Sequence, residues 1–204
     1  MLERIEWLGH ASFRIVGAPL IYIDPWRITR PDHSADVILI SHDHFDHCSP
    51  ADVEKVRGAQ SVIITNRVTA THFEGATIAR PWQVFNVGRA SIRTVPAYND
   101  QHPQAFECLG FVISLDHYDL YYVGDSGVIP EMEKLHPDIV IVPVGGTHSM
   151  TINDAVKAVR QLRPRYVIPS HWGSPSEGGT RLDAQALAQE VGSLAEVIIP
   201  QQVR

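Results

Sequence analysis

Three histidines and Asp46, all side chains of metal-binding type, lie within six residues in the segment Ser41-His42-Asp43-His44-Phe45-Asp46-His47. Residues two apart in extended backbone point to the same side, so His42 and His44 can bind one ion. The chain then turns toward a helix, which can bring Asp46 and His47 to a second ion. Two divalent ions about 3.5–4 Å apart can hold an attacking hydroxide between them. The spacing therefore predicts a metal centre for hydrolysis at this point of the chain.

A predicted strand and a predicted helix position this segment. Residues 37–40 form a continuous apolar run, which is typical of a strand buried on both faces. Ser49 then provides a helix N-cap, Pro50 occupies the first helical position, and Gly58 is expected to end the helix. The metal-binding side chains are therefore expected at the end of a buried strand.

Two further strands end on residues that can bind a metal. Residues 121–123 lead into Gly124-Asp125, and residues 166–168 lead into Pro169-Ser170-His171. Taken alone, Asp125 would be interpreted as a turn residue and His171 as a loop residue. Their shared position at a strand end favours the interpretation that both belong to the metal site.

The rest of the chain predicts two packed sheets flanked by helices. One helix is expected from Thr151, which caps it, to Pro164, which closes it, and another over residues 182–191. The other short apolar runs that predict strands are residues 5–8, 12–16, 20–23, 62–65, 84–87, 91–95, 111–115, 120–123, 139–142, 166–168 and 197–199.

Composition narrows the class of function. The 204 residues carry 17 Lys and Arg against 23 Asp and Glu, a formal charge of −6, which argues against a protein that mainly binds nucleic acid. Cys48 and Cys108 form no disulfide framework and fit a reducing compartment, and Cys48 is expected to pack under the helix. No apolar run approaches the roughly 20 residues of a membrane span, and the N-terminus has no signal-peptide pattern, so we expect a cytoplasmic protein.

The segment 42–47 resembles the H-x-H-x-D-H motif of the metallo-β-lactamase superfamily, in particular the compact branch that includes ascorbate-6-phosphate lactonase-like proteins. The other motifs that carry this resemblance follow in the expected order: Trp7-Leu8-Gly9-His10-Ala11-Ser12-Phe13, Asp24-Pro25, Gly124-Asp125-Ser126 and Pro169-Ser170-His171-Trp172-Gly173. The resemblance implies an α/β (α+β) fold, a four-layer αββα sandwich. One metallo-hydrolase domain would span residues 1–204, with its site at one edge between the sheets.

The resemblance also implies which residues bind the metals. His42 and His44 match the ligands of the first ion. Asp46, His47 and His171 match those of the second ion, and Asp125 matches the carboxylate that bridges the two. We expect two divalent ions, with zinc ahead of manganese and iron.

One position departs from the family pattern. The family usually places a third histidine for the first ion after a strand, and here that run is Pro96-Ala97-Tyr98-Asn99. A neutral amide oxygen binds zinc less well than imidazole does. Three outcomes stay open: Asn99 binds weakly, His102 takes the place from three residues on, or the first site is partly filled.

Three more positions near the site each keep two interpretations. His10, in a tight turn after Gly9, would be an acid/base or substrate-binding group, or a histidine of the core. Asp24 would orient a metal-bound histidine, or it would be a turn residue before Pro25. Residues 145–148 would present backbone N–H groups to an anionic substrate, or form a plain glycine turn.

The predicted function is metal-dependent hydrolysis of a small-molecule ester, lactone or phosphodiester by a metal-activated hydroxide. Asp125 would bridge the ions, and Asp46 would hold the hydroxide in line as well as bind metal. Specificity is expected in the loops around residues 26–34, 98–106 and 173–180.

Other functions are also considered. A metal-binding sensor or scaffold without catalysis would keep the same fold, and the departure at Asn99 is the one feature that favours it. A nuclease is less favoured, because the sequence shows no basic face and no arm that would grip a substrate. A redox di-iron enzyme would be expected to show H-x-E-x-D, and His44 stands where that glutamate would be. We expect no membrane partner, and a homo-oligomer stays open.

Overall fold

Two β-sheets pack face to face in the computed structural model, which describes residues 1–146, 148–174 and 178–203. The first sheet has the spatial order of the sequence: β1 (Ile5–Gly9), β2 (Ser12–Ile15), β3 (Ile21–Ile23), β4 (Ala35–Ile40), β5 (Arg57–Thr65) and β6 (Thr77–Ile78). The strands β1 to β3 pair antiparallel, whereas β3 to β6 pair parallel.

The second sheet repeats this mixture of directions. From one edge to the other it contains β7 (Val84–Val87), β8 (Ala90–Pro96), β9 (Leu109–Leu115), β10 (Tyr118–Tyr122), β11 (Ile139–Pro143), β12 (Tyr166–Ser170) and β13 (Glu196–Val197). The strands β7 to β10 pair antiparallel, and β10 to β13 pair parallel. Parallel neighbours need crossover connections, and α-helices supply two of these connections in the second sheet.

Helices cover the outer faces of both sheets. The α-helices are α1 (Pro50–Val56), α2 (Ile152–Leu162) and α3 (Arg181–Val191), and short 3₁₀ helices span Leu2–Arg4, Thr69–His72, Gln104–Phe106, Pro130–Lys134 and Gly192–Leu194. The helix α1 packs on the first sheet, whereas α2 and α3 pack on the second and on each other. The four layers confirm the expected αββα sandwich. In the described parts of the chain, no helix is both long enough and apolar enough to cross a membrane.

The strand β4 shows why residues 37–40 are all apolar. Val37 and Leu39 belong to the core between the two sheets, whereas Ile38 and Ile40 pack against α1 on the other face. Because successive side chains of a strand point to opposite faces, a strand covered on both sides needs apolar residues throughout. The prediction of a strand buried on both faces is confirmed. Cys48 is buried beside α1, also as predicted.

The predicted end of α1 at Gly58 is wrong. The helix ends at Val56, and Gly58 lies inside β5. A Cβ atom at Gly58 would lie 2.6 Å from the carbonyl oxygen of His33, so this glycine serves a close backbone approach. The two-residue strand β6 was not predicted either, and β13 covers only the beginning of the strand expected at 197–199.

Asp52 connects α1 to the chain that follows β3. Its carboxylate accepts hydrogen bonds from the backbone N–H groups of Arg27 at 2.8 Å and Ile28 at 3.0 Å. It also accepts hydrogen bonds from the Ser49 hydroxyl and the Lys55 ammonium group, each at 2.8 Å. Burial alone would raise the pKa of Asp52, but these donors, led by Lys55, lower it. Asp52 therefore stabilises the fold as a carboxylate.

We expect Asp52→Ala to lower the free energy of unfolding by about 1–3 kcal/mol at neutral pH, because two distant backbone donors lose their acceptor. The folded-state pKa of Asp52 is lowered, so its contribution is full above the unfolded-state value of about 4. That contribution is lost as the pH falls through the folded-state value. Urea unfolding of both proteins at neutral pH and at about pH 3 measures the two effects.

Asp154→Ala is the matched control. Asp154 has the same place in α2, where it contacts the capping residue Thr151 and Lys157. Among its hydrogen bonds to described residues, none reaches a distant backbone segment. Asp154→Ala should therefore lower the free energy of unfolding by less than about 1 kcal/mol. Equal losses in the two variants would contradict the role assigned to Asp52.

Candidate metal centre

The residues predicted to bind metal meet at one edge of the sandwich. Residues 42–47 follow β4, residues 97–102 follow β8, Asp125 follows β10 and His171 follows β12. Each of these segments leaves the carboxyl end of its strand. Because the carboxyl ends of parallel strands meet at the same edge of a sheet, the loops converge there.

One cluster contains His10, Asp46, His47 and His171, all of them buried, with ligand atoms within 4.8 Å of one another. Asp46 Oδ2 lies 3.6 Å from His47 Nε2 and 3.7 Å from His171 Nε2. His10 Nε2 approaches the same oxygen to 2.8 Å. The cluster brings together the residues expected at the second ion, together with His10.

Another cluster contains His42, His44 and His102, again with ligand atoms within 4.8 Å of one another. His42 and His102 are buried, whereas His44 is exposed. His102 Nε2 lies 3.3 Å from His44 Nδ1. The cluster therefore contains the two histidines expected at the first ion, and His102 beside them.

Asp125 joins the two clusters. Its carboxylate lies within 4.8 Å of ligand atoms of both His42 and His47. Asp125 Oδ1 is 3.4 Å from His47 Nε2, and Asp125 Oδ2 is 3.1 Å from His171 Nε2. Asp125 thus has histidines of both clusters around it, as a bridging carboxylate would.

Asn99 uses its amide to hold His102. Its Oδ1 accepts hydrogen bonds from the backbone N–H groups of Gln101 and His102, both at 2.8 Å, and lies 3.2 Å from His102 Nδ1. Its Nδ2 donates to the backbone carbonyls of Asp125 at 3.1 Å and His148 at 2.9 Å. Among the three outcomes for the missing histidine, this geometry favours His102, with Asn99 forming the turn that carries it.

Several buried polar atoms of the clusters lack a hydrogen-bond partner within the described residues. Four of them are His42 Nε2, His47 Nε2, His171 Nε2 and Asp125 Oδ1. A buried polar atom without a partner costs about 1–3 kcal/mol. Imidazole nitrogens and carboxylate oxygens are common ligands of zinc. These four atoms therefore fit divalent cations.

The charges of the site favour a cation as well. Burial alone would raise the pKa of Asp125, but His171 and His47 hold it well below its usual value. Burial alone would lower the pKa of His47, but the carboxylates of Asp125 and Asp24 raise it well above its usual value. Burial, reinforced by the charge of His47, lowers the pKa of His42. The Asp125 carboxylate is thus ionised, and the surroundings of His47 attract positive charge.

Asp24 orients His47. The Asp24 carboxylate is completely buried, and its Oδ2 lies 2.7 Å from His47 Nδ1, which leaves His47 Nε2 facing the cluster. The same carboxylate accepts hydrogen bonds from the Ser41 N–H at 2.7 Å, the Ser41 hydroxyl at 2.6 Å and the Tyr122 hydroxyl at 2.7 Å. The sequence pointed to Asp24 but not to Ser41 or Tyr122. Ser41 could have been suspected, because it precedes the motif directly.

The turn at His10 is held by two tryptophans. The His10 carbonyl accepts hydrogen bonds from Trp7 Nε1 at 2.9 Å and from the His171 N–H at 3.0 Å. Trp7 stacks on Trp172 with ring centroids 4.2 Å apart, so the turn at His10 and the loop at His171 form one unit. His10 and His171 both have left-handed backbone, with φ of 53° and 60°. Such backbone is uncommon outside glycine and is often found where function requires it.

Glycines in the loops after β11 and β12 make room for His171. A Cβ atom at Gly145 would lie 2.4 Å from His171 Nδ1, and one at Gly178 would lie 2.3 Å from the His171 carbonyl oxygen. The Gly146 N–H donates to the Met150 carbonyl at 3.0 Å, which fits the turn interpretation of this segment better than an anion site. Thr147, which belongs to that segment, lies outside the described residues.

Comparison with known proteins places the chain in a family. Residues 4–171 match the model of the β-lactamase superfamily domain. The chain belongs to the metallo-β-lactamase superfamily. A relative from Thermococcus onnurineus, named as a metal-dependent hydrolase, is 33% identical over 97% of this chain and 96% of its own length.

Solved structures share the fold. A protein from Parabacteroides distasonis is 24% identical and superposes with a TM-score of 0.83, over 98% of this chain and 93% of that one. Igni18, a metallo hydrolase from Ignicoccus hospitalis, is 24% identical with a TM-score of 0.80, over 98% and 95% of the two chains. At this identity, the two structures support the fold of the superfamily alone.

We expect Asp24→Asn to weaken zinc binding by about 10- to 100-fold, because a carboxylate that orients a metal-bound imidazole would be replaced by a neutral amide. Titration of the metal-free protein with zinc against a chromogenic chelator measures the affinity. Tyr122→Phe is the control, since it removes one donor to Asp24 but keeps the carboxylate at His47. Wild-type affinity in Asp24→Asn would contradict the assignment.

Proposed function

We propose that this metal-dependent hydrolase binds two divalent ions, with zinc as the first choice, and cleaves an ester, lactone or phosphodiester bond of a small molecule. The observation that carries the proposal is the pair of histidine clusters with Asp125 between them. Two adjacent ions are an arrangement used for hydrolysis in several enzyme classes. Nitrogen and carboxylate ligands of this kind favour zinc over magnesium or calcium.

The proposed ligands divide between the two clusters. His42, His44 and His102 would bind the first ion. Asp46, His47 and His171 would bind the second ion. Asp125 would bridge them, which is supported by the position of its carboxylate within 4.8 Å of ligand atoms of both His42 and His47. Asn99 is proposed as the support of His102 and not as a ligand.

Bound zinc would polarise the scissile bond and lower the pKa of a bound water toward about 7. The residues of the chain supply the arrangement around it. His10 donates its Nε2 hydrogen to the Asp46 carboxylate over 2.8 Å and so fixes the direction of that side chain. Asp24 fixes His47 in the same manner. A direct role of His10 in proton transfer to a substrate remains a prediction.

The surroundings of the clusters support a small substrate that enters from solvent. His44 is exposed while most of its partners are buried, so the first cluster is open on the side of residues 43–45. The formal charge of −6 disfavours a polyanion such as nucleic acid. Both cysteines are free, which fits the cytoplasm as the proposed compartment.

We expect the wild-type protein to bind about two zinc ions and to hydrolyse at least one of nitrophenyl esters, lactones or bis(nitrophenyl) phosphate. A His44→Ala, Asp125→Ala double variant should lose most of its metal and its hydrolysis, because each cluster loses a ligand. Metal analysis and initial rates with added metals measure the two effects. His136→Ala, which changes an exposed histidine outside the clusters, is the control.

Two outcomes would overturn this function. Equal metal contents in the wild type and the double variant would contradict the proposed metal centre. Full metal content without turnover of any of the substrates would instead favour a sensor or scaffold.

The third ligand of the first ion can be tested separately. We expect His102→Ala to bind about one zinc ion instead of two, because the first site would lose one of its three histidines and keep only His42, His44 and the carboxylate that it shares with the second ion. Asn99→Ala should still bind two, but with roughly 10-fold weaker affinity at one site, since His102 loses its support. Zinc titration followed by calorimetry gives both stoichiometry and affinity. Loss of one ion in Asn99→Ala, with none lost in His102→Ala, would make Asn99 the ligand.

A further inference from the structure

Two phenylalanines are exposed to solvent, although the chain buries most of its aromatic rings. Phe45 is 63% exposed and Phe106 is 56% exposed. The other four of the six phenylalanines are buried or half-buried: Phe13, Phe73, Phe85 and Phe111. A phenylalanine that is more than half exposed forfeits part of the stabilisation that burial would provide.

Both exposed rings lie in segments that supply the first cluster. Phe45 directly follows His44, and Phe106 lies four residues after His102. The two histidines are in contact, with His102 Nε2 3.3 Å from His44 Nδ1. His44 is itself exposed, so Phe45 stands at the open side of the cluster.

The Phe45 ring packs against a buried tryptophan. Its ring meets Trp26 edge to face, with centroids 6.1 Å apart, and Trp26 is only 8% exposed. Trp26 is packed in turn against His10, with ring centroids 5.2 Å apart, and under the guanidinium of Arg27 at 4.0 Å. A ring held against a buried tryptophan offers a preformed apolar surface beside the metal centre.

We propose that the substrate carries an apolar group, the size of a benzene ring or larger, which packs against Phe45 while its reactive group meets the metals. This inference rests on the proposed function and narrows its substrate class. Apolar pockets next to a few polar groups are typical of small-molecule sites, in which the apolar part provides affinity and the polar part orientation. The polar part here is the pair of clusters.

Binding of two phosphonates to the zinc-loaded protein tests the inference without turnover. Methylphosphonate and phenylphosphonate share the group that binds metal and differ in the ring. We expect calorimetry to show that the wild type binds phenylphosphonate about tenfold more tightly or better. Phe45→Ala should reduce this preference to about threefold or less, and Phe45→Leu should keep an intermediate preference. Methylphosphonate should bind Phe45→Ala as it binds the wild type, which shows that the metal centre is intact.

Trp82→Ala is the matched control, because Trp82 is an aromatic residue that is 44% exposed and lies outside the segments of the clusters. It should leave the preference unchanged. Equal binding of the two phosphonates to the wild type, binding of neither, or an unchanged preference in Phe45→Ala would overturn the inference. A preference that depends on Phe45 in a protein that hydrolyses none of the substrates would uphold the apolar subsite and overturn only the proposed reaction.

Discussion

The buried carboxylate of Asp24 is the constraint on which the site depends. A carboxylate without access to water needs hydrogen-bond donors around it. Its four donors come from Ser41 and His47 after β4 in the first sheet, and from Tyr122 on β10 in the second. Compensation is complete only when the two sheets meet at this edge. Because His47 is one of the donors, the same requirement orients an imidazole toward the proposed second ion.

Backbone conformations that are costly elsewhere gather around this carboxylate. Asp24, His10 and His171 have φ values of 44°, 53° and 60°, in the left-handed region that favours glycine. The stacking of Trp7 on Trp172 and the hydrogen bonds to the His10 carbonyl hold His10 and His171 in this conformation. The stability gained by packing therefore offsets the backbone strain at the site, as is common at functional centres.

One loop combines the proposed reaction and the proposed recognition. Phe45 separates His44 of the first cluster from Asp46 of the second, and its ring faces solvent while Asp46 is buried. The same loop thus carries proposed ligands of both ions and the proposed substrate contact. Asn99 has a comparable position on the opposite loop, where it touches the backbone of Asp125 and carries His102. The two ions and the substrate surface would be held by a small number of connected residues.

The sequence by itself determined the strands, the capped helices and the loop ends at which the metal-binding residues lie. Periodicity and capping are local, and an all-apolar run such as 37–40 already implies cover on both faces. The sequence did not decide which residue replaces the third histidine of the first ion, because the position of a side chain in a loop depends on the path of the chain. Only the tertiary structure brought His102 beside His44, through a turn that Asn99 closes with its own backbone neighbours. Likewise, Tyr122 became a partner of Asp24 only when the second sheet packed on the first, a contact across 98 residues that no local pattern encodes.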